Sequence, residues 1–479
     1  MGNNSASTSR RRLLQGTAAA GMGVFAVTAM EGFTVRAADA AQGRPPREAE
    51  DNGGYGPLRP VTRTDPETGF QQTLELPEGF DFTLLSLSGT ALGDNHMTPL
   101  GPDAMACFEG VEPGTVRLVR NHEERTDQPE AVPSGDLEYR YDPKGSGGTS
   151  TLVVQTDGSA PTVTDSWMSL SGTIVNCAGG PTPWGSWLSC EETTSGYGDG
   201  WDRKHGYVFE VPAHSDHQVD PIALTDMGRF VHEAVAIDPE SGYVYETEDR
   251  GAAGFYRFLP HTPGQLAEGG RLQMLKVVDE WQYDTRTGQH AARPLAVEWV
   301  DIDDPDPAEA EENSSAVYEQ GHAQGAATFG RLEGCWWGGG AAYIASTNGG
   351  DEGQGQIWEY RPGKGNGRMS GGTLRLVFES PDSDVLSFPD NVTVTPSGAL
   401  ILCEDTSRSR PALRGLTHDG RVFPFCLDPS NDEWCGATFS PNGEILFANL
   451  QGSTSGDPAQ PSTRGRTVAI WGPWENGLL

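Results

Sequence analysis

Cys177-Ala178-Gly179-Gly180-Pro181-Thr182-Pro183-Trp184-Gly185-Ser186-Trp187-Leu188-Ser189-Cys190-Glu191-Glu192 is the stretch that decides the fold. A reactive side chain stands six residues before a proline, a glycine follows, and a short apolar run ends in acids. The same punctuation recurs three times. Glu233 precedes Pro239, Gly242 and Tyr243-Val244-Tyr245; Asp390 precedes Pro396, Gly398 and Leu400-Ile401-Leu402; Cys435 precedes Pro441, Gly443 and Ile445-Leu446-Phe447. Two of these runs also end in acids, at Glu246-Thr247-Glu248-Asp249 and Cys403-Glu404-Asp405. Proline and glycine between two apolar runs mark a hairpin turn. A turn does not explain why one equivalent position holds Cys, Glu and Asp in place of an apolar residue.

Two further segments match less closely. Cys107 precedes Pro113, Gly114 and the run 116–119, which leads into Asn121-His122-Glu123. Glu333 precedes Gly339-Gly340 and the run 342–345. The anchors near 107, 177, 233, 333, 390 and 435 divide the chain into units near the roughly 40–50 residues of a propeller blade, some with insertions. The expected fold is all-β: a six-bladed β-propeller with loop insertions, one domain over 74–479. The long gap before Glu333 holds an insertion whose acidic stretch, 301–312, reads as a solvated loop. The innermost strand of each blade lines the central channel, so equivalent positions converge on the axis.

Residues 1–40 read as a twin-arginine export leader: Ser9-Arg10-Arg11-Arg12-Leu13-Leu14-Gln15, a weakly apolar stretch, and small residues near Ala38-Asp39-Ala40. Export to the periplasm or medium through the twin-arginine translocase follows, with no stable membrane anchor. Residues 41–73 read as a linker or N-terminal arm. Removing the leader deletes four positive and two negative charges, so the formal charge moves from −34 to −36. Such a surface excludes nucleic acid as a partner. It also repels anionic substrates unless bound cations invert the field locally. A monomer is expected. Seven cysteines leave at least one unpaired. Cys426 and Cys435 are spaced to allow a disulfide.

Cys177, Glu233, Glu333 and Asp390 brought to one axis form a chemical problem. Two carboxylates 4 Å apart repel by about 4 kcal/mol at an effective dielectric near 20. Several sharing one site must protonate or bind cations. A thiolate suits iron, copper or zinc, and carboxylates suit calcium. A mixed site follows, supplied with further acids at Glu123, Glu191, Glu192, Glu404, Asp405 and Glu433. His122 and His232 flank candidate ligands and read as supporting or packing residues.

At these residues the chain resembles the PhoX-type alkaline phosphatases, in a compact form. The matching stretches include Thr173 to Gly180, Gly228-Arg229-Phe230-Val231-His232-Glu233, Arg331-Leu332-Glu333, Pro389-Asp390-Asn391 and Ala469-Ile470-Trp471-Gly472-Pro473-Trp474. The resemblance implies an exported phosphatase acting on small-molecule phosphate esters. It implies two oxo-bridged Fe3+ ions with up to three Ca2+ ions. Cys177, Glu233, Glu333 and Asp390 would hold iron, some of them bridging to calcium. Glu191 or Glu192, with Glu433, would hold calcium, and Glu123 follows from position. Arg331 and Asn391 would hold phosphate oxygens. The competing readings are a calcium-dependent propeller lactonase or esterase and a non-catalytic calcium-stabilised binding propeller. Neither gives the Cys177 thiolate a task.

Overall fold

The computed structural model describes residues 52–125, 135–291, 293–364, 371–405, 410–455 and 464–479. The expected leader lies outside them. The described chain is mostly β, built from antiparallel strand sets whose first strands pack side by side. These inner strands are Pro102–Glu109, Asn176–Pro181, His232–Ile237, Leu332–Gly338, Pro389–Val394 and Trp434–Phe439. Each packs on the next in that order, and the last packs on the first. The result is a closed, propeller-like ring.

The hairpin reading of the repeat holds. In the second set, Asn176–Pro181 pairs with Ser186–Glu191 across the turn at Pro183. Gly185 and Gly398 both turn at a φ of 88°, a conformation that costs other residues a Cβ clash. Apolar runs then form the buried second strands, such as Leu400–Glu404 and Ile445–Leu450. Between the sets lie apolar clusters in which Trp187, Trp358 and Trp434 are fully buried.

Residues near the N-terminus complete sheets begun late in the chain. Asp81–Leu87 pairs with Arg466–Trp471 as the fourth strand of the last set. Within the stretch read as linker or arm, Leu58–Thr64 pairs with Gln71–Pro77, and that hairpin joins the sheet of Val422–Leu427. The insertion before Glu333 carries the helix Ala316–His322. Its acidic stretch is partly tied down: Asp306 meets Lys204 and Tyr207, and Glu311 meets Arg229. The Cys426–Cys435 disulfide is not formed. All seven cysteines are free thiols, and these two sit on different strands, Val422–Leu427 and Trp434–Phe439.

Candidate metal centre and active site

Three repeated backbone features build the centre. First, a β-bulge interrupts each inner strand at or just after its second residue. A bulge bends the strand and re-aims a side chain. The second residues are Asp103, Cys177, Glu233, Glu333, Asp390 and Cys435. Second, the residue following each second strand donates its N–H to the residue preceding the inner strand. The six bonds are Glu123 to Gly101, Glu192 to Val175, Asp249 to Val231, Thr347 to Arg331, Asp405 to Phe388 and Gln451 to Glu433, at 2.7–3.1 Å. Third, the preceding residue is often left-handed: φ is 49° at Val175, 40° at Arg331 and 51° at Phe388. Such backbone costs on the order of 1–3 kcal/mol per residue and clusters at functional sites.

Most of these positions meet in a cavity of about 150 Å³. It is lined by eight carboxylates (Glu123, Glu192, Glu233, Asp249, Glu333, Asp390, Asp405, Glu433), the Cys177 thiol, Arg125 and Arg331, with Gln451 and Thr454. Cys177 Sγ lies 3.1 Å from Glu233 Oε1 and 3.6 Å from Asp103 Oδ2. Ligand atoms of Asp103, Glu123 and Cys177 lie within 4.8 Å of one another, as do those of Cys177, Glu192 and Glu233. The thiol is shared by both groups.

Burial and then mutual repulsion push several acids of the centre up. Asp103, Glu192, Glu233, Glu333 and Glu433 sit well above the ordinary carboxylate range, each chiefly through burial and then through neighbouring acids. Asp390 is raised to about 7 by burial and then by Asp405. The Cys177 thiol is pushed well up by burial, then by Asp103 and Glu233. The buried Asp103 Oδ1 has no hydrogen-bond partner among the described residues. Cations resolve all of this: they hold carboxylates and a thiolate in their charged forms. The donor set fits a thiolate-loving metal beside oxygen-loving ones.

Of the expected site residues, Cys177, Glu192, Glu233, Glu333, Asp390, Glu433, Glu123 and Arg331 line this cavity. Glu191 and Asn391 do not. Successive strand residues face opposite ways, so Glu191 turns from the axis. It accepts from the Ile174, Gly206 and Tyr207 N–H groups and meets His205 Nδ1 at 2.6 Å. The Asn391 amide donates to Asp390 Oδ1 and accepts from Gly436 N, both at 2.7 Å, which makes it a support for Asp390. His122 bonds to Leu100 O and Ser150, and His232 to Gly228 O, so both are packing groups.

Arg331 forks onto Asp249 at 2.9 and 3.1 Å and also meets Glu333 at 2.5 Å. The anchor assigned to Cys107 belongs to Asp103. The first inner strand is eight residues long where the second is six, so counting back from the turn proline stops in mid-strand. Asp405, one of the further acids, and Asp249, which ends its run, line the cavity too, as do Arg125 and Gln451, which the repeat does not mark. For the two acids the signal was present: each is the last acid of its run.

A sequence profile of alkaline phosphatase PhoX matches residues 53–454. The chain belongs to the PhoX alkaline phosphatase family. It is a phosphoric ester hydrolase of a metal-dependent family. No curated protein sequence matches it. Among solved structures it is similar to Pseudomonas fluorescens PhoX in complex with vanadate, a transition state analogue. That match has a TM-score of 0.66 and 18% identity, and covers 88% of this chain and 98% of the other. At that identity the likeness speaks for the fold. A gluconolactonase from Xanthomonas campestris, at TM-score 0.37 and 12% identity, covers 90% of this chain and 99% of its own. It is too dissimilar to support any argument.

Proposed function

We propose that the axial cavity holds an iron–calcium cluster and that this PhoX-family phosphatase hydrolyses small phosphate esters there. The observation that carries the reading is the buried thiol of Cys177 shared between two groups of carboxylates. Cys177, Glu233, Glu333 and Asp390 are the proposed iron-site residues, with Asp103 beside the thiol. Glu192, Glu433 and Glu123 are proposed for calcium. The bound metals would supply Lewis-acid neutralisation of the ester's charge.

The chain's own residues do the rest. Arg331, fixed by its fork onto Asp249, presents guanidinium N–H groups toward an oxyanion in the cavity. Asn391 keeps Asp390 oriented. Burial of the acids excludes water from their inner faces and strengthens every charge interaction there. The family's fold and the closed ring of inner strands support six blades in a single unit, which the Leu58–Thr64 and Gln71–Pro77 hairpin carries N-terminal of the expected start at 74. Export of a monomer through the twin-arginine pathway, to periplasm or medium, remains part of the proposal and rests on the Arg10-Arg11-Arg12 motif.

The test is elemental analysis of the purified mature protein with an assay on p-nitrophenyl phosphate. Iron and calcium in the folded protein, with activity lost on chelation, are expected. Folded protein without iron, and without calcium-dependent phosphatase activity, overturns the reading.

A further inference from the structure

Arg125 is the second cation of the cavity, and nothing in the repeat required it. It stands two residues beyond Glu123, and its backbone N–H is tied to Thr454 O at 3.0 Å. Its Nε meets Glu123 and its Nη2 meets Glu192, so it bridges two neighbouring strand sets. Arg331 bridges Asp249 and Glu333 in the same manner. Glu192 and Asp249 crowd one another as like charges. Two arginine-bridged groups, Glu123–Arg125–Glu192 and Asp249–Arg331–Glu333, therefore line the cavity.

Both arginines are anchored at one side and open at the other. The Arg125 side chain is 49% exposed and that of Arg331 35%, while Glu123 and Glu333 are buried. Among the described residues, Nη1 of each guanidinium meets no acceptor. Two anchored guanidiniums with unspent donors, lining one small cavity, match the several terminal oxygens of a tetrahedral oxyanion. The partial exposure of both is what a ligand contact requires.

We propose that Arg125 is a second substrate-holding residue, gripping the terminal phosphate oxygens opposite Arg331. This rests on the phosphatase reading above. It adds a residue outside the set that the family resemblance indicated.

The test uses metal-replete protein, p-nitrophenyl phosphate kinetics, and vanadate binding by titration calorimetry. Arg125→Gln is expected to raise KM and weaken vanadate binding by about tenfold while kcat stays within about threefold, as for a lost binding contact. Arg125→Lys, which keeps the charge and loses the fork, is expected in between. Iron and calcium per chain are expected to match the wild type. Unchanged KM and vanadate affinity in Arg125→Gln overturn the proposal. So does a loss of metal with unchanged KM on the loaded fraction, which makes Arg125 a counter-charge only. An inactive, vanadate-blind wild type overturns the phosphatase reading itself and this proposal with it; the first two outcomes require an active wild type.

Discussion

Glu191 and Glu192 are neighbours in sequence and opposites in structure. Glu191 lies inside its strand set, and both its oxygens are taken by backbone N–H groups and His205. Glu192 faces the axis, where burial and Glu123 push it well above the ordinary carboxylate range. The contrast repeats around the ring. Glu248 serves Gly254 N and the Tyr256 hydroxyl through Oε2, its Oε1 having no hydrogen-bond partner among the described residues, while Asp249 lines the cavity. Glu404 serves Ser387 N, Ala412 N and Arg414, while Asp405 lines the cavity. A buried acid satisfied by the fold supports structure. One that the fold leaves crowded among like charges is available for metal.

Substitutions separate the two classes. The largest effect is expected at the shared thiol: Cys177→Ala removes iron and its absorbance and lowers activity by more than about 100-fold, beyond the loss typical of a supporting residue. Elemental analysis and the visible spectrum check this; wild-type absorbance in the variant would break the assignment.

Next comes the neighbouring pair. Glu191→Ala leaves buried donors and His205 unpaired and is expected to cost about 3–5 kcal/mol in urea unfolding. Glu192→Gln is expected to lower activity at least about tenfold and to cost much less stability. Equal stability losses in the two variants would erase the distinction.

The Glu191–His205 pair also has a pH signature. Burial pulls the His205 imidazolium down, but Glu191 and Asp142 more than offset it and raise it to about 9. A raised folded value favours the folded state fully below the unfolded value near 6.5, and that benefit fades as pH rises toward 9. Stability should fall across that window by about 3 kcal/mol at most. The slope should become shallower in His205→Gln by that amount. A slope unchanged from the wild type in that variant would assign it elsewhere.

The smallest expected effect is Gly185→Ala. A Cβ at Gly185 would meet only the His214 ring, at an ordinary contact of 3.9 Å, so the cost is its left-handed backbone alone, about 1–2 kcal/mol, with activity unchanged in the loaded enzyme. A loss of activity without a loss of stability would show that the turn reaches the cavity.

Much of the centre was legible because the repeat has a fixed ruler. Where the inner strand is six or seven residues long, counting back from the turn reaches Cys177, Glu233, Glu333 and Asp390. The ruler failed at Asp103, where the strand is longer. It misled at Cys435, whose thiol meets Pro102 O at 3.2 Å while Glu433 lines the cavity. There the bulge falls one residue later, after Cys435 has paired with Asn449. Arg125 carries no repeat signal at all.

The sequence by itself determined the hairpin punctuation, the propeller class, and the placing of thiol and acids at equivalent positions, because turn chemistry and alternation are local. Only the tertiary structure decided which acid of each run is axial. That depends on bulges, on left-handed entry residues and on the closing of the ring. These set side-chain direction between segments far apart in the chain, and no local pattern encodes them.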